Sequence, residues 1–461
     1  MKTEKILILG LGGIGYYLAR RLSNEGHLVT VIESDPVVIE KAAAELDVRL
    51  IKGSATDFQC WKAAEASQMH YLIAATNSDA VNLLAALVAD KFNIEQKIVR
   101  LGSIAIWENQ SPISQGEFKI DLLIRPEELA AREISRFLKM RSGNVLIDIG
   151  DSNLQILAIH VERQSALSQM LIKDIAYKYY DYNFSIVCVA RDIETIIPGG
   201  GFKILPNDHI FLLTSSEEMP KLMKLVGIKE EVRNKVMIIG GGQIGSRLAE
   251  LLQQSFSVRL LEVDEKRSEE LSYLLNKTEC LHGDGSDRKV LVEAGILDMD
   301  TVIAATGNNE NNIMTSVLAK QLIRSKLDEL DRDIGKTIAH VKREDYLVLA
   351  SAMGIDIAVN KKILAANHIL RYIRRENMIA AAHLHGCDAE VVEIIADPKT
   401  PITKSTIAEL GVLNGKIMVG AVFQNDSWKI VRGDSRIEAG NKVVCICKPN
   451  NLRLLQELFL S

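Results

Sequence analysis

The chain contains the same pattern twice, and this repetition limits the folds open to it more than any other feature. The segment Leu9–Gly15, which reads Leu-Gly-Leu-Gly-Gly-Ile-Gly, recurs as Ile239–Gly245 at an offset of 230 residues. Ile73–Thr76 recurs as Ile303–Thr306 at the same offset, and further landmarks return at offsets between 229 and 240. A repeat on this scale indicates that each half of the 461 residues is one copy of the same folding unit.

The first part of each half alternates short apolar runs with longer amphipathic ones. Ile6–Leu9, Val29–Ile32 and Tyr71–Ala75 contain no charged residue, which is typical of strands buried on both faces. Helical patterns such as Pro36–Leu46 and Ser78–Phe92 lie between the strands. Regular alternation of strand and helix predicts a doubly wound parallel sheet. The expected fold class is therefore α/β, with two Rossmann-like domains.

A different pattern follows each of these domains. Residues 144–213 contain strand-like runs separated by Gly, Pro and Asn turns, and a helix is expected at Met219–Val226. Residues 380–459 repeat this arrangement, so each half is expected to end in a small α+β domain. The predicted boundaries are 1–140 and 229–376 for the nucleotide-binding domains, and 141–228 and 377–461 for the small domains.

The repeated glycine pattern has the spacing of a dinucleotide-binding turn. Gly10 allows a tight turn, Gly12 lets a pyrophosphate approach the backbone, and Gly15 lets the helix close on the strand. Glu33 lies 18 residues beyond Gly15, where a carboxylate accepts hydrogen bonds from ribose hydroxyls, and Glu262 is its counterpart. Such an acid repels a 2′-phosphate, which favours NAD over NADP. ATP and ADP contain the same ribose diol and remain open.

Polar residues follow the other strands of each predicted sheet, at the edge where ligands of such folds bind. Arg100 is expected to reach phosphate, and its counterpart His340 is expected to do so less strongly. The predicted nucleotide contacts are Gly10, Leu11, Gly12, Gly13, Ile14, Gly15, Glu33, Thr76, Asn77 and Arg100, and in the second half Gly240, Gly241, Gly242, Gln243, Ile244, Gly245, Glu262, Asp284, Thr306, Gly307 and His340.

Acids close to these residues have an alternative role as helix caps. Asp35 and Asp264 follow the second strands, and Asp57 and Asp287 follow the loops after the third strands. Each of them precedes a predicted helix, where a carboxylate accepts a hydrogen bond from a free N–H group. Ligand contact and capping are both compatible with Asp35 and Asp264. For the other two acids, capping is the alternative to a role of the preceding loops, Ser54–Thr56 and Asp284–Ser286, in lining an adenine pocket.

Charge and cysteine content exclude several further classes of protein. Lys and Arg number 55 against 60 Asp and Glu, so the chain has no general attraction for nucleic acid. No apolar run is long enough to cross a bilayer, no signal peptide is apparent, and the six cysteines form no CxxC pair. A reduced, cytoplasmic protein is expected, without a metal site and without catalytic residues.

Taken together, these motifs resemble those of a known family. The glycine loops, Glu33 and Glu262, the Ala-Ala-Thr segments that end at Thr76 and Thr306, and Val99–Leu101 are similar to the nucleotide-binding module of TrkA-type proteins, called the RCK or KTN domain. Residues 144–226 and 380–459 resemble the companion C-terminal module of that family. The resemblance covers essentially the whole chain, in the order N–C–N–C.

The resemblance implies a cytoplasmic regulatory subunit, peripherally associated with the inner face of the membrane, that binds NAD(H) or ATP/ADP and controls potassium flux. The expected partner is an integral membrane potassium transporter subunit of the TrkH or TrkG type. The expected assembly is a homo-oligomer, a tetramer that forms a gating ring, with exchange of the crossover helices Pro126–Met140 and Lys361–Arg375. Because His340 replaces an arginine and Lys361 stands where the first half has Pro126, the two sites are not expected to be equivalent.

An NAD-dependent oxidoreductase is the alternative, because the same nucleotide fold serves hydride transfer. Such an enzyme needs a substrate domain with a positioned acid–base residue. Each nucleotide fold here is followed by only about 85 strand-rich residues, with no recognisable substrate-domain signature. The sequence therefore favours a ligand-sensing subunit over an enzyme.

Overall fold

The computed structural model describes residues 3–102, 116–139, 145–149, 153–192, 194–227, 234–327, 336–373, 380–384, 387–413 and 415–460. Within these ranges each half contains a parallel sheet of six strands followed by an antiparallel sheet of five strands. The predicted fold class is confirmed.

The first parallel sheet has the strand order β3-β2-β1-β4-β5-β6. Its elements are β1 (Lys5–Leu9), α1 (Gly13–Asn24), β2 (Leu28–Glu33), α2 (Pro36–Glu45), β3 (Arg49–Lys52), α3 (Phe58–Ala63), β4 (Tyr71–Ala74), α4 (Asp79–Lys91), β5 (Gln96–Arg100), β6 (Leu122–Ile124) and α5 (Pro126–Lys139). Ile6, Leu7, Ile8 and Leu9 are completely buried because helices cover both faces of the central strand. The strand order reverses direction at β1 and β4, so a ligand crevice is expected at their carboxyl ends.

The first small sheet has the order β10-β9-β11-β8-β7, and every pairing in it is antiparallel. Its elements are β7 (Val145–Asp148), β8 (Leu154–His160), α6 (Ile172–Lys178), β9 (Ser185–Arg191), β10 (Glu194–Ile196), β11 (His209–Ser215) and α7 (Met219–Leu225). The three-residue edge strand β10 was not evident from the sequence.

The second parallel sheet repeats the first, with the order β14-β13-β12-β15-β16-β17. Its elements are β12 (Lys235–Ile239), α8 (Gln243–Leu252), β13 (Ser257–Glu262), α9 (Glu265–Leu274), β14 (Thr278–His282), α10 (Arg288–Glu293), β15 (Thr301–Ala304), α11 (Asn309–Leu327), β16 (Lys336–His340), α12 (Asp345–Ala352), β17 (Ile357–Val359) and α13 (Lys361–Ile373). Helix α11 is longer than α4, so part of the extra length of the second half extends this helix.

The second small sheet has the order β18-β19-β22-β20-β21, which is the topology of the first. Its elements are β18 (Ala380–His383), β19 (Glu390–Ile395), β20 (Ile417–Gln424), β21 (Ser427–Ile430), β22 (Lys442–Cys447) and α14 (Leu452–Phe459). The sequence patterns located the three central strands and missed the two edge strands, β18 and β21.

Packing divides the chain into two compact units that do not coincide with the two halves of the sequence. The first unit comprises Met1–Leu129 together with Lys361–Arg374, and the second comprises Ala130–Asn360 and Arg375–Ser461. Helix α13 thus belongs by sequence to the second repeat but packs against α1 and β6 of the first parallel sheet. The domain boundaries proposed above remain predictions.

Within the second unit the two small domains pack against each other. A Cβ atom on Gly420 of β20 would lie 2.5 Å from Leu213 Cδ2, which shows how closely the sheets approach. The backbone N–H of Asp388 donates to Thr195 Oγ1 over 2.7 Å, and the Sγ atoms of Cys188 and Cys387 are 3.6 Å apart.

Candidate nucleotide-binding sites

Two glycines in each loop are required by the fold itself. Gly10 has φ +89° and Gly240 has φ +102°, a region that side chains disfavour. A Cβ atom on Gly15 would lie 1.9 Å from the carbonyl oxygen of Gly10. A Cβ atom on Gly245 would lie at the same distance from the carbonyl oxygen of Gly240. These four glycines shape the turn and let the helix close on the strand, as the sequence predicted.

The middle glycine of each loop is different, because the space around it is open. Around Gly12 the nearest atom to an added Cβ is Asn77 Oδ1 at 3.8 Å, and Gly242 has no neighbour within 4 Å. Both residues are helix N-caps, of α1 and α8, and neither has a side chain to satisfy the first N–H groups. The open cradle and the positive helix end together suit a phosphate group.

The helices that follow α1 and α8 are capped by their own side chains. Asp35 accepts from Val37 N at 2.9 Å, and Asp57 accepts from Gln59 N at 2.9 Å. In the second half, Asp264 accepts from Arg267 N at 2.8 Å and Asp287 from Lys289 N at 2.7 Å. The structure thus assigns all four acids the capping role, whereas α1 and α8 have no side-chain cap.

The carboxylate of Glu33 lies against the glycine turn. Its Oε2 accepts from Leu11 N at 2.6 Å, and its Oε1 accepts from Ser34 N at 2.6 Å and Asp35 N at 2.9 Å. Three backbone N–H groups therefore fix the orientation of the carboxylate. The remaining oxygen lone pairs are available for a ribose hydroxyl.

Glu262 occupies the same place in the second site. Its Oε2 accepts from Gly241 N at 2.5 Å and its Oε1 accepts from Asp264 N at 2.9 Å. The adjacent Arg267 brings its Nε to 3.4 Å from the carbonyl oxygen of Gly241. By the offset of 229 that relates Glu33 to Glu262, the first half has the uncharged Val38 there. Arg267 therefore adds a positive charge to the second site that the first site lacks at this position, and the sequence analysis did not identify it.

A buried asparagine ties the ends of two strands together at each site. Asn82 accepts from Thr76 N at 3.0 Å and donates to the carbonyl oxygens of Thr76 at 3.0 Å and Arg100 at 2.9 Å. The Thr76 hydroxyl is 2.7 Å from Asn82 Oδ1, so this hydroxyl serves the fold. Asn312 repeats these bonds around Thr306. The sequence analysis missed both asparagines, although they recur at the offset of 230.

Arg100 lies at the carboxyl edge of the first sheet. Its Nη1 donates to the carbonyl oxygen of Thr76 at 2.8 Å, and Thr76 touches the glycine turn, since a Cβ on Gly10 would lie 3.1 Å from Thr76 Cα. Gly12 and Asn77 are also neighbours. The structure thus brings the predicted residues of the glycine loop, β2, β4 and β5 to one edge of the sheet.

His340, predicted as the counterpart of Arg100, is only 2% exposed. The fold encloses its side chain, which contradicts the expectation that it reaches a phosphate at the surface. Lys342, two residues further on, instead donates through Nζ to the carbonyl oxygen of Gly307. Lys342 N donates to Asn309 Oδ1 at 2.6 Å, which fixes the backbone at this point. Lys342, which the sequence analysis missed, is therefore a cation at this edge of the second sheet.

Asp284, predicted as a nucleotide contact, stabilises its own turn. It accepts from the backbone N–H and the hydroxyl of Ser286, both at 2.8 Å, and these bonds lower the pKa of its carboxyl. Ser54 holds the equivalent turn through Thr56, with the two hydroxyl oxygens 2.8 Å apart. Asp284 is exposed, so its side chain is accessible from this loop.

No group of three or more His, Cys, Asp or Glu side chains in the described ranges is placed to hold a metal ion. No helix in the same ranges combines the length and apolar character needed to span a membrane.

Comparison with known proteins identifies the family. The model of the TrkA-N domain matches residues 6–105 and again residues 236–361. Over the whole length, the chain is 27% identical to the Trk system potassium uptake protein TrkA of Halomonas elongata, covering 99% of this chain and 98% of that one. It is 28% identical to TrkA homolog 2 of Methanosarcina mazei, covering 99% and 100%.

Solved structures share the fold. The GsuK RCK domain matches with a TM-score of 0.57 at 18% identity, covering 99% of this chain and 95% of that one. The GsuK channel bound to NAD matches with a TM-score of 0.57 at 19% identity, covering 99% and 79%. The chain belongs to the TrkA-N family and contains one copy of the domain in each half.

Proposed function

We propose that this member of the TrkA-N family is a regulatory subunit that binds NAD(H), ATP or ADP at its two glycine-loop sites and thereby controls potassium flux. The flux itself passes through a separate membrane protein of the TrkH or TrkG type. The relatives named above are potassium uptake proteins, and they cover the chain from end to end.

The observation that supports this proposal most strongly is the duplicated cradle. In each copy an N-cap glycine leaves the start of a helix without a side-chain cap, and a glutamate carboxylate lies against the same turn. The N–H groups are suited to bind phosphate oxygens, and the carboxylate is suited to accept from a ribose hydroxyl. A bound nucleotide supplies these two kinds of group, phosphate and diol.

The residues present fit an unphosphorylated ribose in the first site, because Glu33 would repel a 2′-phosphate. NAD(H), ATP and ADP all meet this requirement. One channel of this fold has been solved with NAD and, as a separate structure, with ADP. We therefore include both classes of nucleotide as ligands for this chain.

Regulation requires that the nucleotide bind two conformations with different affinity. Moving an equilibrium from 1:99 to 99:1 takes about 5.5 kcal/mol of differential binding. In a symmetric assembly every chain contributes two sites, so several bound ligands together supply this differential binding free energy. We propose a homo-oligomer, a tetrameric gating ring, docked on the cytoplasmic side of the membrane subunit.

Isothermal titration calorimetry with NADH, NAD+, ATP and ADP tests the binding step. The variant with Glu33→Gln and Glu262→Gln together should bind at least tenfold more weakly, because each site loses its charged acceptor. Glu40→Gln, which changes an exposed acid on α2, is the matched control and should bind like the wild type. Wild-type protein that binds none of the four nucleotides would refute the proposal.

The regulatory step is tested by co-purification with a TrkH- or TrkG-type subunit and by potassium flux in proteoliposomes, with and without each nucleotide. Flux that changes with nucleotide in the wild type but not in the double variant is the expected result. Rapid oxidation of NADH with simple oxo-acids would instead support the alternative function, an oxidoreductase.

A further inference from the structure

We infer that Cys188 and Cys387 are a site of reversible oxidation, at which the two thiols are converted to a disulfide that joins the two small domains. Cys188 lies on β9 of the first small domain, and Cys387 lies shortly before β19 of the second. The two residues are far apart in the sequence but belong to the same compact unit. The inference does not depend on the nucleotide sites or on the proposed function.

The distance between the two sulfur atoms is the first observation. Both cysteines are free thiols, and their Sγ atoms lie 3.6 Å apart in the interior, where Cys188 is 0% and Cys387 6% exposed. A disulfide bond is about 2.0 Å long, so the sulfurs have to approach by about 1.6 Å, which rotation of the two side chains can supply. The thiols are therefore in contact and placed to be joined.

The shape of β9 explains why Cys188 faces the second small domain. The register between β9 and β11 shifts between Phe211 and Leu212, which makes Val187 the extra residue of a β-bulge. Such a bulge changes the direction of the side chains beside it. A Cβ atom on Gly420 of β20 would lie 3.5 Å from Val187 Cγ1, so this part of β9 lies against the second small sheet. Cys188, the next residue, meets Cys387 there.

Hydrogen bonds hold Cys387 in this position. The backbone N–H of Cys387 donates to the carbonyl oxygen of Leu384 over 3.3 Å, and its Sγ lies 3.7 Å from the same oxygen. The backbone N–H of Asp388 donates to Oγ1 of the buried Thr195, on β10, over 2.7 Å. The turn before β19 is thus attached to the first small sheet. Two groups held together in this way react as in an intramolecular step.

Hydrogen peroxide is an oxidant small enough to reach such a site. The Cys387 thiolate attacks one peroxide oxygen, which forms a sulfenic acid and releases hydroxide. The Cys188 thiol then attacks the sulfenic sulfur, the S–S bond forms, and the hydroxyl leaves as water. In total, two thiols and one peroxide give one disulfide and two water molecules. Cys387 is the first to react because Cys188 is completely enclosed.

The surroundings of Cys387 make this oxidation slow under ordinary conditions. Burial, together with the neighbouring Cys188 and the charge of Asp388, raises the pKa of the Cys387 thiol well above its ordinary value. The thiolate is the reacting form and is scarce at neutral pH, so the rate of oxidation should increase as the pH rises. The pair therefore remains reduced until oxidant persists.

Peptide mapping by mass spectrometry tests the inference. The reduced full-length protein is incubated with hydrogen peroxide at mildly alkaline pH, the remaining thiols are alkylated, and the chain is digested without reductant. We expect one crosslinked peptide pair that contains Cys188 and Cys387, and its loss on treatment with dithiothreitol. Cys188→Ala and Cys387→Ala should each lack the crosslink. Cys280→Ser, which removes a partly exposed cysteine of β14, is the matched control and should retain it.

Thermal unfolding shows whether the bond fits the folded protein. Because the disulfide closes a very long loop, the oxidised protein should have a Tm higher by about 5 °C, and Cys188→Ala should show no such rise. Four results would overturn the inference. Both thiols could remain free after prolonged oxidation, either could end as a sulfinic acid, or either could be joined to a different cysteine. A crosslink that fails to raise the Tm would mean that the bond forms only in a distorted protein.

Discussion

Gly12 and Gly15 lie three residues apart in one turn, and the structure predicts opposite outcomes for their substitution. Gly12 has φ −62° and ψ −179°, which any residue adopts, and the space beyond it is open. Aspartate is a better N-cap than glycine and also complements the helix dipole. Gly12→Asp should therefore leave the ligand-free protein as stable as the wild type or raise its stability by up to about 1 kcal/mol.

The same change should abolish nucleotide binding at the first site. The new carboxylate occupies the cradle, accepts the N–H bonds intended for phosphate, and repels the ligand. Loss of two charge-assisted hydrogen bonds, at about 1.5–3 kcal/mol each, corresponds to at least a hundredfold rise in Kd. Calorimetry with NADH and ATP on a protein that also has Glu262→Gln measures this site alone.

Gly15→Ala should act on folding instead. Its Cβ would lie 1.9 Å from a backbone carbonyl oxygen, well inside van der Waals contact, so either α1 or the turn must move. Overpacking against the backbone costs about 3 kcal/mol, which lowers Tm by roughly 10 °C in a unit of this size. Gly242→Asp and Gly245→Ala repeat the comparison in the second site. There an added Cβ on Gly242 also meets open space, and one on Gly245 also meets a backbone carbonyl oxygen.

Two results would refute this reasoning. If Gly12→Asp destabilised the protein as much as Gly15→Ala, the open space at Gly12 would not exist in solution. If Gly12→Asp retained wild-type affinity, the cradle would not be the phosphate site. Circular dichroism melts and calorimetry on the same preparations decide both questions.

Three further changes follow from the structure. Asn82→Ala should lower the free energy of unfolding by about 2–4 kcal/mol in denaturant titrations, because the completely buried amide bonds the ends of β4 and β5. Lys342→Gln should weaken nucleotide binding at the second site several-fold in calorimetry, whereas wild-type affinity there would show that this cation does not contact the ligand. Burial, assisted by the neighbouring His160, lowers the pKa of His209 to about 4, so the folded protein binds fewer protons than the unfolded chain between pH 4 and 6.5. Stability should therefore fall by up to about 2 kcal/mol between pH 6.5 and 5, and His209→Gln should remove that part of the slope in denaturant titrations at the two pH values.

The sequence was sufficient for features that depend on local pattern. The glycine spacing, the acid after the second strand and the alternation of strand and helix are short-range signals, and the repeat presents each of them twice. The strands it missed, β10, β18 and β21, are edge strands of only three or four residues, too short to show the hydrophobic period on which such predictions depend. Asn82 and Asn312 were missed because an asparagine inside a helix gives no signal of its own until the fold shows what its amide faces.

The direction of individual side chains is the second feature that the sequence did not predict. Alignment of the halves placed His340 opposite Arg100, and this correspondence holds for the backbone of β16 and β5. The histidine nevertheless turns into the protein, and the next cation along the chain, Lys342, takes up the position at the sheet edge. A sequence offset relates equivalent backbone positions along two strands. It does not predict towards which face of the sheet the side chain at such a position points, or whether its charge lies at the end of the strand.

The two copies therefore share a backbone cradle and differ in the charges placed around it. The first has Arg100 at the sheet edge. The second has Lys342 at the sheet edge and Arg267 beside the carbonyl of its loop. Because the cations differ in kind and in place, the two sites are expected to differ in their affinity for the same nucleotide. Equal affinities of the two single-site proteins for each nucleotide would show that these displaced charges have no part in ligand choice.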